Sequence, residues 1–292
     1  MIVKRVVSVF RAGGVSAVLG AVLRRIRTPW ARSFPLCRDI VSNAHGIEIG
    51  GPSSIFARGG MIPLYPLAQR VDNCNFARST IWEGAIREGD SFTFHSGKAP
   101  GRQFIAEGAN LHMIQSASYD FVLSSHMLEH SANPLRALAE WGRLLKAGGG
   151  LILVLPHRDG TFDHRRPITT IQHLVADLEA GRGEDDLTHL AEVLQLHDVS
   201  RDPGVEDEAS FRERAERNAE VRSLHHHVFD TRLATAVVAQ AGLELVAVEP
   251  LLPYHIVVIA RKPLGSSGGN RLSPGEVGEI LRQSPFRTDR ES

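Results

Sequence analysis

Between about residues 41 and 157 the chain alternates short apolar runs with polar, glycine-bearing corners. Runs at 47–49, 70–73, 104–106, 121–123 and 151–155 each have strand length, and helix-like stretches separate several of them. Residues 243–248 and 256–260 read as two more strands joined by a proline-containing turn. Strand, corner, helix, glycine turn and buried strand over 119–156 form a βαβ unit. Five parallel strands and a closing hairpin predict a doubly wound, mostly parallel seven-stranded α/β sheet with an antiparallel edge. Ligands in such sheets bind beyond the carboxyl ends of the strands, which places the polar corner at 124–130 where chemistry is expected.

The long interruption at 158–230 is acidic and carries helix-like stretches at 171–178 and 211–222. It reads as a helical cap inserted into a domain spanning 41–263, because long loops at this end of a sheet carry function. Residues 232–241 read as a helix returning to the sheet, closed by Gly242. The tail at 264–292 is rich in Ser, Gly and Arg, with a short helix near 276–282, and is expected to be mobile.

Composition excludes some functions. Of 292 residues, 23% are charged and the net charge is zero, which argues against a nucleic-acid surface. Two cysteines, Cys37 and Cys74, form neither a disulfide framework nor a CxxC clip and fit a reducing, cytoplasmic setting. No apolar run reaches the roughly 18 residues of a membrane span. Residues 1–38 contain basic residues and no acid, with Val and Leu at roughly helical spacing. This basic segment, 1–40, reads either as a helix packed on the domain or as a peripheral contact with anionic lipid.

The first strand ends in Glu48-Ile49-Gly50-Gly51, and Asp72 closes the next in this reading. A glycine pair at such a corner lets backbone approach a ligand, and a strand-end acid can accept both hydroxyls of a ribose. The alternative is a tight turn before a helix, with Asp72 as a cap.

These residues, the Ser125-His126-Met127-Leu128-Glu129-His130 corner and the helix ending in Leu144-Leu145-Lys146-Ala147-Gly148-Gly149 together resemble a class I S-adenosylmethionine-dependent methyltransferase. The resemblance covers roughly 44–157. It departs from the family's acid-x-Gly-x-Gly-x-Gly at Pro52, which displaces the second glycine. It implies that Glu48, Gly50 and Gly51 line the amino-acid end of S-adenosylmethionine, and that Asp72 and Asn73 hold the ribose. It further implies that Asn110 meets the adenine and that Ser124, Ser125 and His126 lie under the sulfonium. A nicotinamide dehydrogenase fits less well, since no full G-x-G-x-x-G is present at the first turn.

Many of the 14 histidines flank the cap, at 157–167 and 224–230. Three readings remain open: an acceptor pocket with a His or Asp as base, a divalent-metal site, or structural hydrogen bonding. No His-x-x-x-His or HExxH spacing supports metal, and no metal ligand is assigned. The expected catalytic groups are His126, His157, His164 and Asp163, with Arg165 and Arg166 able to hold an anionic acceptor. Glu129 and His130 read as the first turn of a helix, either functional or placed there by the helix dipole. The expected activity is methyl transfer to a small-molecule or glycan-precursor hydroxyl. The alternatives are a non-catalytic cofactor-binding scaffold and a metal-dependent hydrolase.

Overall fold

The structure is a computed structural model and describes residues 30–265 and 271–291. Most of the basic N-terminal segment, residues 1–29, lies outside the described residues. Helix α1 (Phe34–Val41) precedes strands β1 (His45–Ile49), β2 (Arg70–Asn75), β3 (Ser79–Thr80), β4 (Gly84–Ala85), β5 (Gly89–Phe92), β6 (Gly101–Ile105) and β7 (Tyr119–Ser125). Helix α2 (Pro134–Leu144) and strand β8 (Leu145–Pro156) follow. The inserted cap holds α3 (Ile171–Glu179), α4 (Leu190–Leu196), α5 (Glu208–Glu216) and α6 (Asn218–Val221). Helix α7 (Thr231–Gln240), strands β9 (Glu244–Leu251) and β10 (His255–Arg261), and helices α8 (Pro274–Arg282) and α9 (Arg287–Glu291) complete the chain.

The main sheet runs β5-β6-β2-β1-β7-β8-β10-β9. Strands β6, β2, β1, β7 and β8 are mutually parallel, and β10 and β9 close one edge antiparallel. The seven expected strands are present in the expected order. An eighth, β5, adds an antiparallel edge beyond β6.

Strand β8 shows why these runs fold as they do. Leu151, Leu153 and Leu155 enter the core on one face, and Ile152 and Val154 enter the core on the other. A strand buried on both faces must be apolar throughout, since each such side chain contributes about 1.5–3 kcal/mol by leaving water. Helices α2, α3 and α7 cover the first face, through Leu138, Trp141, Leu174 and Val237 among others.

The second face is covered differently. No helix links β1 to β2; residues 50–69 form consecutive turns. Pro52, Gly59, Gly60, Pro63 and Pro66 break helical hydrogen bonding there. Ile55, Phe56, Ile62, Leu64 and Tyr65 from these turns supply the core. The buried carboxylate of Glu48 pins them: Ser53 N donates to Oε1 at 3.2 Å and the Tyr65 hydroxyl to Oε2 at 2.5 Å. Helix α1 is fixed by Glu249 on β9, which accepts from Arg32 N at 3.0 Å and Ser33 N at 2.8 Å, an anion at the helix's positive end.

The expectation of a mobile tail is corrected for residues 271–291. Asp289 is buried and accepts from His157 Nε2 at 3.1 Å, Thr231 N at 3.1 Å, and the hydroxyls of Thr231 and Ser284 at 2.6 Å each. Phe286 stacks on the His157 ring at 3.8 Å.

Candidate active site

Two clefts meet at the carboxyl ends of the parallel strands. The narrower, about 620 Å³, is walled by Ile49 and Gly50 at the end of β1, Cys74 to Phe76 at the end of β2, Ala106 to Ala109 after β6, and His126 and Met127 after β7. Trp82 from the β3–β4 hairpin and Glu184 and Arg222 from the cap close it. The wider, about 1300 Å³, lies under the cap and includes Glu129, Thr161, Phe162, His225 and Tyr254. Trp82, His126 and His130 line both clefts.

Small residues keep the narrow cleft open. Gly50 has φ +87°, and a Cβ there would come within 2.9 Å of Met127 Cγ. A Cβ on Gly108 would meet Met127 Cε at 2.5 Å. The flanks at Ile49, Phe76, Ala109 and Met127 are apolar and suit a flat heteroaromatic ring. Arg222 lies over Phe76 with Cζ 5.6 Å from the ring centre and donates to Glu107 at 2.6 Å, which roofs the cleft.

The corner after β7 is under backbone constraint. His126 has φ +52°, a left-handed value that a β-carbon disfavours. Its N–H donates to Val154 O at 2.9 Å, and its Nε2 is paired with His255 Nδ1 at 2.9 Å. Burial and the neighbouring His255 and His225 depress its pKa to about 3. His126 is therefore neutral at ordinary pH and too weak a base to take a proton from an acceptor. Burial and His225 likewise push His130 well below the usual histidine range.

Glu129 lines the wider cleft. Residues Leu128–His130 form a 3₁₀ turn, and α2 begins later at Pro134, capped by Asn133, so Glu129 is not in its first turn. The side chain is buried, and neither carboxylate oxygen receives a hydrogen bond from the protein. Oε1 faces His126 Nδ1 at 3.7 Å, His130 Nε2 at 3.9 Å and His225 Nε2 at 4.0 Å. Burial raises its pKa from 4.5 to about 7, against the lowering pull of His225. His225 is held by Asp163, whose Oδ2 lies 2.6 Å from Nδ1. Burial acts to lower the His225 pKa, but Asp163 and Glu129 outweigh it and raise it.

The remaining expected residues fall into distinct places. Asp72 does not end its strand: β2 continues to Asn75, and Asp72 sits back among His45, Arg70, the Tyr119 hydroxyl and Arg102 N. Burial raises its pKa, but those donors outweigh it and hold it near 2. Gly50 N donates to Cys74 O, so Asn75 and Phe76 occupy the strand end. Asn73 lies beneath the turn, accepting from Gly51 N at 3.0 Å and donating to Gly51 O and to Asn75 and Gln103. Glu48 is spent on Ser53 and Tyr65, as described. Ser124 donates to Ile49 O at 3.2 Å, tying the ends of β7 and β1, and Ser125 is buried beside it. Asn110 turns to His112 and lines a separate groove with Arg182 and Asp185.

Three expectations are corrected outright. His157 is fully buried under Phe286 and bonded to Asp289, and lines neither cleft. His164 pairs with Asp198 at 2.9 Å on the cap, away from both clefts. Arg166 is buried and engaged by Asp163, Glu192 and the carbonyls of His225 and His226, leaving nothing for an anionic acceptor. Asp163 lines neither cleft and is bonded to His225 and Arg166.

The strand order, with a cleft at its switch point, matches the class I methyltransferase fold. A family model described as a methyltransferase domain matches residues 59–153, within this sheet. The protein is a methyltransferase and S-adenosylmethionine is its cofactor. No curated protein matches the chain. Solved structures resemble it loosely. An S-adenosylmethionine-dependent methyltransferase from Methanosarcina mazei is 16% identical, with TM-score 0.44 over 79% of this chain and 98% of its own. One from Mesorhizobium loti is 13% identical, with TM-score 0.45 over 79% and 98%.

Proposed function

We propose that the protein methylates a hydroxyl of a small molecule or glycan precursor, with Glu129 as the general base. The observation that carries this reading is the buried, unbonded Glu129 carboxylate in the wide cleft, beside the three residues shared with the cofactor cleft. Bound S-adenosylmethionine supplies a methyl group on a cationic sulfur. The residues of the chain position the acceptor and remove its proton. Glu129 accepts the hydroxyl proton as the oxygen attacks. A base with pKa near the working pH contributes typically 10²–10⁴-fold, and alignment of the reacting atoms contributes more. Asp163 orients His225, which faces Glu129 and stabilises its ionised form. Neutral His126 and His130 are hydrogen-bonding groups at the junction of the clefts.

The wide cleft supports a sugar-like acceptor. Trp82 and Tyr254 present partly exposed rings at its edge, and Arg201, Asp202 and Arg214 add polar groups. Flat apolar rings beside converging polar groups suit a polyhydroxylated ring.

The test is transfer of a labelled methyl group to a panel of sugar nucleotides, lipid-linked sugars and small alcohols. Labelled ether product with release of S-adenosylhomocysteine is expected. Transfer only to amine, thiol or carbon acceptors would overturn the hydroxyl assignment.

A further inference from the structure

Among the described residues, two groups bring at least three metal-ligating side chains together. One, Glu129, His130 and His225, belongs to the acceptor site. The other lies at the root of the cap and lines neither cleft. It comprises His173 and Asp177 on α3, His189 just before α4, and His227 in the segment leading to α7.

One ligand atom from each of these four residues lies within 4.8 Å of the others. His173 Nε2 is 3.1 Å from His189 Nε2 and 3.2 Å from Asp177 Oδ2. Ligand atoms around a tetrahedral ion with bonds of about 2.0–2.1 Å stand about 3.3 Å apart, and the two pairs at His173 match that spacing. Ordinary hydrogen bonds do not account for it. An imidazole nitrogen offers one hydrogen or one lone pair in the ring plane, yet His173 Nε2 faces two atoms. Asp177 Oδ2 is buried without a hydrogen-bond donor, and His227 Nε2 stands 3.8 Å from it and 3.4 Å from Ala132 O. Asp177 and His227 are 6% and 1% exposed. Unpartnered polar atoms at that depth are costly, and a cation among them removes the cost.

We propose that His173, Asp177, His189 and His227 bind a divalent transition metal of the zinc class. Three imidazoles and one carboxylate, with no thiolate, make a nitrogen- and oxygen-rich set suited to Zn²⁺ or Co²⁺ rather than to Mg²⁺ or Ca²⁺. All four positions are filled by protein, which is the pattern of a structural site. The ion staples the cap to the corner of the active site. His226 N and His227 N donate to Glu129 O at 2.9 and 3.3 Å. The loop between Asp177 and His189 carries Glu184, which accepts from Ser131 Oγ at 3.0 Å and lines the cofactor cleft.

The experiment measures metal content and the visible absorption of Co²⁺-reconstituted full-length protein, for the wild type and for His189→Ala, Asp177→Asn and His225→Gln. Near-stoichiometric metal is expected in the wild type, with the d–d bands of four-coordinate Co²⁺. His189→Ala and Asp177→Asn should lose affinity at least tenfold, while His225→Gln keeps both metal and bands. A chelator should lower the melting temperature of the wild type and leave that of folded His189→Ala unchanged. A wild type that takes up neither ion overturns the proposal. So does metal lost in His225→Gln and retained in His189→Ala, which would move the ion to the acceptor site.

Discussion

Asp163 Oδ2 stands 2.6 Å from His225 Nδ1, and the far nitrogen of that ring points at Glu129 from 4.0 Å. The line of three groups lets a buried aspartate, held near pKa 2 by His225 and Arg166 despite its burial, act on a carboxylate it does not touch. Replacing Asp163 by Asn keeps the shape but frees the ring to adopt the wrong tautomer. Asp163→Asn should lower kcat about 10- to 100-fold while the calorimetric Kd for cofactor stays within threefold.

Glu129→Gln removes the proposed base. Its kcat should fall about 10²–10⁴-fold with cofactor affinity preserved. In the wild type, kcat/KM should rise with pH through a midpoint of about 7, the value burial gives Glu129. The acidic limb should vanish in Glu129→Gln. A limb of the same midpoint persisting in the variant would assign it to another group.

The same carboxyl links stability to pH. Its folded pKa of about 7 lies above the ordinary 4.5, so the folded form holds a proton that the unfolded chain has released. Its contribution is therefore whole below pH 4.5 and lost as pH rises towards 7, by up to about 3 kcal/mol. Glu48 shifts in the same direction, so the wild type alone does not isolate Glu129. The difference between variant and wild type does: Glu129→Gln should be more resistant to urea than the wild type at pH 8, with the advantage gone at pH 4.

Arg222 roofs the cofactor cleft through Phe76, Glu107 and Glu184. Arg222→Ala removes a ring contact and a charge-assisted hydrogen bond at once. Calorimetry should show S-adenosylhomocysteine binding weakened about tenfold, consistent with a loss of roughly 1–2 kcal/mol.

Asp289→Ala leaves His157, Thr231 and Ser284 without their shared acceptor. Removing one partner from a buried polar network costs about 3 kcal/mol. Thermal unfolding should shift down by several degrees, and kcat of the folded fraction should be unchanged.

The sheet was legible because its strands are buried on both faces and therefore apolar throughout, as at 151–155 and 256–260. Asp72 was misplaced because the last residues of β2 are polar. Asn73 and Asn75 alternate on one face and bond to Gly51 and Gln103, a network that reads in sequence as the start of a loop. His157 does follow a parallel strand, where chemistry is expected. What removes it from the site is Asp289 and Phe286, far along the chain, and no local pattern announces such a contact. Glu129 was visible but read as an acid near a helix start. Only the 3₁₀ turn, which directs it inward, separates that role from a base.

The twenty residues between β1 and β2 have a consequence for how this protein tolerates sequence change. A helix is specified by many weak, nearly interchangeable preferences, each worth under about 1 kcal/mol. Here that redundancy is replaced by Glu48 holding Ser53 and Tyr65. In a saturation-mutagenesis profile over 48–69, tolerance should be broad at the exposed turns and collapse at Glu48, at Tyr65 and at the buried Phe56, Ile62 and Leu64. Mutational fragility would then be concentrated in a few buried side chains instead of spread along an element.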